Sequence, residues 1–126
     1  MKTAAQLTQQ EIAAYRETIR LRETQEALEV QQRKARAWSL ARQAAAILRE
    51  TYGATRVVVF GSLANDPLFT RWSDVDLAAW GLRSEDTFRA IGALFDLDAE
   101  IPVNLVDVNA APASLVATIE KEGIGV

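Results

Sequence analysis

The sequence contains neither cysteine nor histidine among its 126 residues. The absence of cysteine excludes disulfides, thiol nucleophiles and cysteine-ligated metals. The absence of histidine excludes a histidine general base, a Ser-His-Asp triad and histidine-ligated zinc. Any catalysis must therefore use carboxylates, hydroxyls, lysine, arginine or hard metal ions.

Long apolar runs are also missing. No stretch approaches 18 apolar residues, and the N-terminus lacks the short apolar core of a signal peptide. We therefore expect a cytoplasmic protein with no membrane partner. The charge is uneven, because residues 1–52 carry a net charge of +3 and residues 53–126 carry −6. The acidic part could hold divalent cations, and no direct nucleic-acid binding is expected from it.

Residues 1–52 contain no glycine and no proline and are rich in good helix formers, so helix is predicted throughout. One continuous helix over this length would be about 70 Å long, against a radius of gyration of about 14 Å for a compact domain of this size. The helix must therefore break, project or lie on a partner. A nearly all-polar stretch at residues 31–36 favours two helical segments, the first an amphipathic helix over residues 5–30.

These observations divide the chain into an N-terminal helical extension, residues 1–33, and a domain, residues 34–126. The second helical segment faces the core of that domain with an apolar stripe that includes Trp38, Ala41, Ala45 and Leu48. We expect the extension to be an association surface for another protein or for a second copy. The alternative is a solvated helix that packs weakly on its own domain.

From Gly53, which suits a helix C-terminal cap, the apolar pattern becomes strand-like. Short apolar runs predict three strands: Arg56–Phe60, Val75–Trp80 and Pro102–Val108. Helices are predicted after Ser84 and from Pro112. The inner face of the first is predicted to consist of Phe88, Ile91, Leu94 and Phe95. This order predicts an α/β or α+β domain, a small mixed sheet of three to four strands covered by helices.

The stretch FGSLANDPLFTRWSDVDL, residues 60–77, carries the chemistry. Asp74 and Asp76 are two residues apart, so in a strand both carboxylates project from one face and repel each other unless a cation binds there. Mg²⁺ prefers one or two carboxylates together with phosphate oxygens. Gly61 allows a sharp turn with an N–H open to phosphate, and Ser62 adds a hydroxyl donor. Each pair alone is common on surface strands and turns, whereas together they predict a metal and phosphate site.

FGS followed by SDVDL resembles the signature of the DNA polymerase β-like nucleotidyltransferase superfamily. The short chain looks like the minimal nucleotidyltransferases (MNT proteins) of that superfamily, and the resemblance extends from about Ala35 to Val126 through WSDVDLAAWGL, IPVNLVDV and IEKEGIGV. It implies a nucleotidyltransferase fold and an ATP-dependent, Mg²⁺-requiring adenylyltransferase. Gly61 and Ser62 would hold the triphosphate, and Asp74 and Asp76 would bind the metal ions.

The same resemblance implies a partner. MNT proteins are encoded beside HEPN-domain proteins, which are toxin ribonucleases. The MNT protein is the antitoxin and can transfer AMP to a hydroxyl, typically a tyrosine, of the toxin. This AMPylation places negative charge where the toxin engages RNA. We therefore expect ATP and a HEPN toxin as partners, in a hetero-oligomer formed through the N-terminal helix.

The sequence departs from the family pattern at three places. Leu63 and Asn65 stand where the family often has arginine, and the loop before Asp74 is slightly longer than in many members. Asn104, in VNLV, stands where the third strand usually carries a third carboxylate that helps activate the attacking hydroxyl. An amide cannot accept that proton. Asp107, three positions later, points to the opposite face unless a bulge turns it.

Three functions compete on this basis. The first is an adenylyltransferase antitoxin with Asp74, Asp76 and Asn104 at its catalytic centre. The second is an antitoxin that binds without transferring AMP, because of Asn104. The third, a nucleotidyltransferase acting on a small molecule, ranks lowest because no second domain is present to form a substrate pocket.

Other candidates carry less weight. Arg71 and Trp72 flank the acids and could touch the nucleotide, but a loop arginine and a packed tryptophan are the favoured interpretations. Arg33, Lys34 and Arg36 form a short basic run that could face RNA or an acidic partner. A solvated helix face is the favoured interpretation of this run.

Overall fold

The structure, a computed structural model, describes residue 3 and residues 6–126. Its longest element is α1, Gln9–Glu50, a single helix of 42 residues. The hydroxyl of Thr8 caps its first turn by accepting a hydrogen bond from the backbone N–H of Glu11 at 3.1 Å. The predicted division into two helical segments is therefore wrong. The nearly all-polar stretch at residues 31–36 changes the surface that the helix presents. It contains no glycine or proline that would break the helix.

Only the C-terminal half of α1 is packed into the domain. Its buried residues form a stripe that recurs every three to four positions, and most of them are small: Ala37, Leu40, Ala41, Ala44, Ala45 and Leu48. The part before Val30 is largely exposed, including Tyr15, Leu21 and Leu28. At about 1.5 Å per residue this part extends roughly 30 Å. The predicted long helical extension is confirmed, although Ala5, the first residue of the predicted helix, lies outside the described residues.

The remaining elements form a four-stranded mixed sheet with two further helices. The strands are β1, Arg56–Phe60; β2, Val75–Trp80; β3, Val103–Asp107; and β4, Ile124–Gly125. The helices are α2, Thr87–Phe95, and α3, Ala113–Glu122. The strand order is β3-β2-β1-β4, with β2 and β3 parallel and the other two pairs antiparallel. The predicted fold class is confirmed.

The two faces of the sheet have different surroundings. The face that carries Val59, Leu77 and Leu105 packs against α1 and α2 and forms the main core. The face that carries Val58 and Ala78 packs against α3 in a smaller cluster. Because successive residues of a strand point to opposite faces, Asp76 of β2 and Asn104 of β3 share the second face. None of the helices in the described part of the chain is long and apolar enough to cross a membrane.

The inner face of α2 differs from the prediction. Ala90 and Leu94 are buried, whereas the side chains of Phe88 and Phe95 are 88% and 55% exposed. The segment after Ser84 also starts as a short 3-10 turn before α2 begins at Thr87. The prediction is therefore confirmed for Leu94 and for Ile91, which packs against the core, and wrong for Phe88 and Phe95. A small residue, Ala90, takes a place on the inner face that the pattern of larger side chains did not indicate.

Candidate active site

The site begins at the turn that ends β1. Gly61 has a φ of +70°, and a Cβ built on it would lie 2.7 Å from Oδ2 of Asp76. Any other residue here would therefore suffer both the left-handed backbone strain and a clash with that carboxylate. Gly61–Leu63 then forms a 3-10 turn, held to the core by buried Leu63, with Ser62 half-buried. The turn brings backbone and carboxylate together as a phosphate and metal site requires.

Asp76 lies on the face of the sheet opposite the main core, because its neighbours Val75 and Leu77 are fully buried in that core. Asp74 immediately precedes β2 and lies within reach of Arg33 of α1. Burial raises the pKa of Asp76, and the charge of Asp74 raises it further, while a hydrogen bond from Asn104 opposes both. The side chain of Asp74 is 39% exposed. An incoming cation would therefore relieve the cost of ionising Asp76.

Asn104 lies directly beside the pair. In the parallel ladder of β2 and β3, it is the register partner of Asp76, and its Nδ2 donates a hydrogen bond to Oδ1 of Asp76 at 3.2 Å. The amide thus satisfies one oxygen of that carboxylate without any metal. It adds no group that could take a proton from an attacking hydroxyl.

Asp107 does not replace the missing carboxylate. It lies on the opposite face of β3 from Asn104, almost fully buried, and no bulge turns it. Its Oδ2 accepts a hydrogen bond from the Thr87 hydroxyl at 2.7 Å, and its Oδ1 accepts one from the backbone N–H of Asn109 at 3.0 Å. Asp107 therefore caps the turn after β3 and ties it to α2.

The loop before the acids presents an exposed aromatic side chain. Trp72 is 76% exposed, so the predicted packed tryptophan is wrong. Hydrogen bonds between Thr70 and Ser73 close a tight turn with Trp72 near its tip. Arg71 lies 5.2 Å from the centroid of the Trp72 ring and is held by acids of α1. The loop arginine prediction thus agrees with the structure.

The basic run of α1 is engaged with its own domain. Arg33 Nε donates a hydrogen bond to the Ser73 carbonyl oxygen at 2.8 Å, and Lys34 pairs with Asp66. Arg36 pairs with Asp98 at 2.5 Å and lowers the pKa of that carboxyl to about 2. The predicted solvated helix face is therefore wrong. The sequence held no local signal for these contacts, because their partners lie 32 to 62 residues away along the chain.

The carboxylates fit a hard cation that is shared with phosphate. In the part of the chain that the structure describes, no group of three or more Asp, Glu, Cys or His side chains could hold a metal by itself. Two carboxylates completed by phosphate oxygens is, however, the arrangement that Mg²⁺ commonly adopts in nucleotide sites. The turn at Gly61 lies close against one of these carboxylates, since a side chain there would collide with Asp76.

Comparison with known proteins bears on the fold. No protein-family model matches the chain, and no curated protein matches it. A chain in a crystal structure of a mutant toxin–antitoxin MntA–HpeT is 21% identical over 68% of this chain and 69% of that chain, with a TM-score of 0.56. The two chains share a fold. The predicted nucleotidyltransferase fold, which the motif suggested by resemblance, is thereby confirmed.

A second solved structure is similar to a lesser degree. It contains the tri-AMPylated Shewanella oneidensis HEPN toxin in complex with MNT antitoxin, and the match is 18% identical over 75% of this chain and 69% of that chain. Its TM-score is 0.45.

Proposed function

We propose that this chain is a cytoplasmic antitoxin that transfers AMP from ATP to a tyrosine hydroxyl of a HEPN toxin, with Mg²⁺ as its cofactor. The observation that carries the proposal is the close approach of Gly61 to Asp76, because a Cβ at position 61 would lie 2.7 Å from Oδ2 of Asp76 and only glycine fits at the turn. The fold shared with the toxin–antitoxin MntA–HpeT supports the antitoxin role. Residues 34–126 would form the catalytic domain, and residues 1–33 would bind the partner.

The proposed reaction needs few protein groups. The toxin hydroxyl oxygen forms a bond to the α-phosphorus of ATP, the bond from that phosphorus to the β-phosphate oxygen breaks, and pyrophosphate leaves. Gly61 and Ser62 would orient the triphosphate. Asp74 and Asp76 would hold Mg²⁺, which neutralises charge on the phosphate oxygens. The hydroxyl proton must pass to solvent or phosphate, because Asn104 cannot accept it.

A second candidate function is an antitoxin that binds Mg·ATP and the toxin without transferring AMP. It is favoured by the hydrogen bond from Asn104 to Asp76, which occupies one carboxylate oxygen at 3.2 Å. In that case inhibition would come from the surface of the toxin that the antitoxin covers.

Intact-mass measurement of the toxin after incubation with the chain, ATP and Mg²⁺ tests the proposal. We expect the toxin to gain the mass of AMP, once or several times. Asp74→Ala should reduce the rate at least 100-fold, since even the partners of metal ligands contribute about 10–100-fold. An unmodified toxin that is still inhibited would support the binding-only function, and an unaffected Asp74→Ala variant would refute the site.

Asn104→Asp separates the two functions. A carboxylate at this position could act as general base, and such groups contribute about 10²–10⁴-fold to rate. We therefore expect faster AMP transfer from the variant than from the unchanged chain, measured by the same mass shift. Asn104→Ala is the control, because it removes the hydrogen bond to Asp76 without adding a base. Equal rates for all three chains would show that position 104 has no part in proton transfer.

A further inference from the structure

The polar middle of α1 contacts the loop that leads into the acids at three places. Arg71 of the loop lies 3.8 Å from Glu26 and 3.7 Å from Glu29, Lys34 pairs with Asp66, and Arg33 reaches Ser73 and Asp74. We call these contacts between Glu26–Lys34 and residues 65–74 the loop clamp. All of them join the long helix to the segment that ends at the proposed metal site.

The three contacts are not equivalent. The pairs of Arg71 with the two glutamates are long, and all three side chains are almost half exposed, so these pairs contribute little. Lys34 holds the start of the loop through Asp66, a strongly exposed side chain eight positions before Asp74. Arg33 is different, because its side chain is only 19% exposed and contacts Ser73 and Asp74. Asp74 is itself one of the proposed metal ligands.

The guanidinium of Arg33 spans both of these residues. Its Nε donates to the carbonyl oxygen of Ser73 at 2.8 Å, and its Nη2 lies 3.8 Å from Oδ1 of Asp74. The first contact fixes the peptide that precedes Asp74, and the second restrains one carboxylate oxygen and leaves Oδ2 to a cation. The positive charge also offsets the repulsion between Asp74 and Asp76.

We infer that Arg33 is a positioning residue, which holds Asp74 in the orientation that binds Mg²⁺. This inference rests on the proposed function for the identity of the ion, but the positioning itself is a property of the loop. The planar guanidinium, with several N–H donors, reaches both the Ser73 carbonyl oxygen and the Asp74 carboxylate, and the single ammonium of lysine cannot do so. Arg33→Lys, which keeps the charge, should therefore be impaired, and Arg33→Ala should be at least as impaired.

Two measurements on the full-length chain test the inference. The first is hydrogen exchange of the backbone amides of residues 65–74 without metal or nucleotide. We expect at least a tenfold acceleration around Ser73 and Asp74 in both Arg33 variants. The second is the Mg²⁺ dependence of ATP binding by calorimetry. The Mg²⁺ concentration for half-saturation should rise about 10-fold, the lower end of the effect of such partners, while ATP affinity at saturating Mg²⁺ should change less than twofold.

Lys34→Gln is the matched control, because it removes an adjacent cation that contacts the same loop far from Asp74. It should leave the Mg²⁺ dependence unchanged within twofold. Unchanged exchange in the Arg33 variants, or faster exchange with an unchanged Mg²⁺ requirement, would overturn the inference. Faster exchange in the variants, combined with no Mg²⁺-dependent ATP binding by the unchanged chain, would support positioning of the loop and refute the proposed function instead.

Discussion

The surroundings of Asp76 disfavour its ionised form. Its side chain is half-buried and lies near the charge of Asp74, and its pKa is raised. Its folded-state pKa lies above the unfolded value of about 3.9, so the folded chain binds the proton more tightly. Ionised Asp76 therefore lowers the free energy of unfolding at neutral pH. That cost disappears as the pH falls through the folded pKa towards the unfolded value.

Asp76→Asn should consequently raise the free energy of unfolding at pH 7 in the absence of metal. The advantage over the unchanged chain should shrink as the pH falls through the raised folded pKa of Asp76 and should vanish below about 4, where Asp76 is protonated in both states. Urea denaturation of both chains at several pH values measures the difference, and the difference cancels the titration of other groups such as Asp98. Added Mg²⁺ should stabilise only the unchanged chain. An unchanged chain that is more stable at pH 7 without metal would contradict this account.

Single residues also limit what the sequence could predict about the site. The two-residue repeat of a strand predicts a shared face for Asp74 and Asp76; in the structure Asp74 immediately precedes β2, and its charge acts on Asp76. The hydrogen bond between Asn104 and Asp76 depends on the parallel register of β2 and β3, which no local pattern specifies. The hydrogen bond from Arg33 to Ser73 could not be predicted, because 40 residues separate the two and the chain offers many other carbonyl acceptors.

Among the elements, the turn at the end of β1 allows a controlled experiment. Gly61 and Gly53 have nearly the same backbone angle, with φ of +70° and +72°. A Cβ on Gly61 would clash with Asp76, whereas a Cβ on Gly53 would meet nothing within 4 Å. Alanine at either position carries a left-handed strain of about 1–2 kcal/mol, but only one of them disturbs the carboxylate.

We therefore expect Gly53→Ala to lower the free energy of unfolding by about 1–2 kcal/mol and to leave Mg·ATP binding intact. Gly61→Ala should lower it by at least as much and should also weaken Mg·ATP binding by an order of magnitude or more. Chemical denaturation and calorimetric titration of the two variants give both quantities. Equal nucleotide affinity in both would mean that the turn at Gly61 does not contact the phosphates.

The elements themselves were predictable to different degrees. The strands β1, β2 and β3 were predicted within a residue or two, because their apolar runs are short and bounded by turn residues. The continuity of α1 was missed, since a change in polarity was taken for a change in backbone. The exposure of Phe88 shows a second limit of prediction from sequence, because hydrophobicity alone does not decide which face of a helix packs on the core.

At the scale of the whole molecule, three parts of α1 have different surroundings, and this determines where a partner could bind. Its C-terminal half forms part of the core, its middle carries the loop clamp, and the part before Glu26 contributes almost no buried surface. An exposed helix joined to an acidic domain offers a partner a contact area separate from the proposed site.

Removal of residues 1–22 should therefore weaken association with a HEPN toxin at least tenfold. It should change the free energy of unfolding by less than about 1 kcal/mol, because surface segments without packed neighbours contribute little. Mg·ATP affinity should be the same, since the deletion spares Glu26, Glu29 and Arg33, which reach the loop. Calorimetric titration with the toxin, denaturation and ATP titration measure the three quantities. Undiminished toxin binding by the truncated chain, with an unchanged oligomeric state, would exclude the extension as an association surface. It would favour an interface around Asp74 and Asp76 instead.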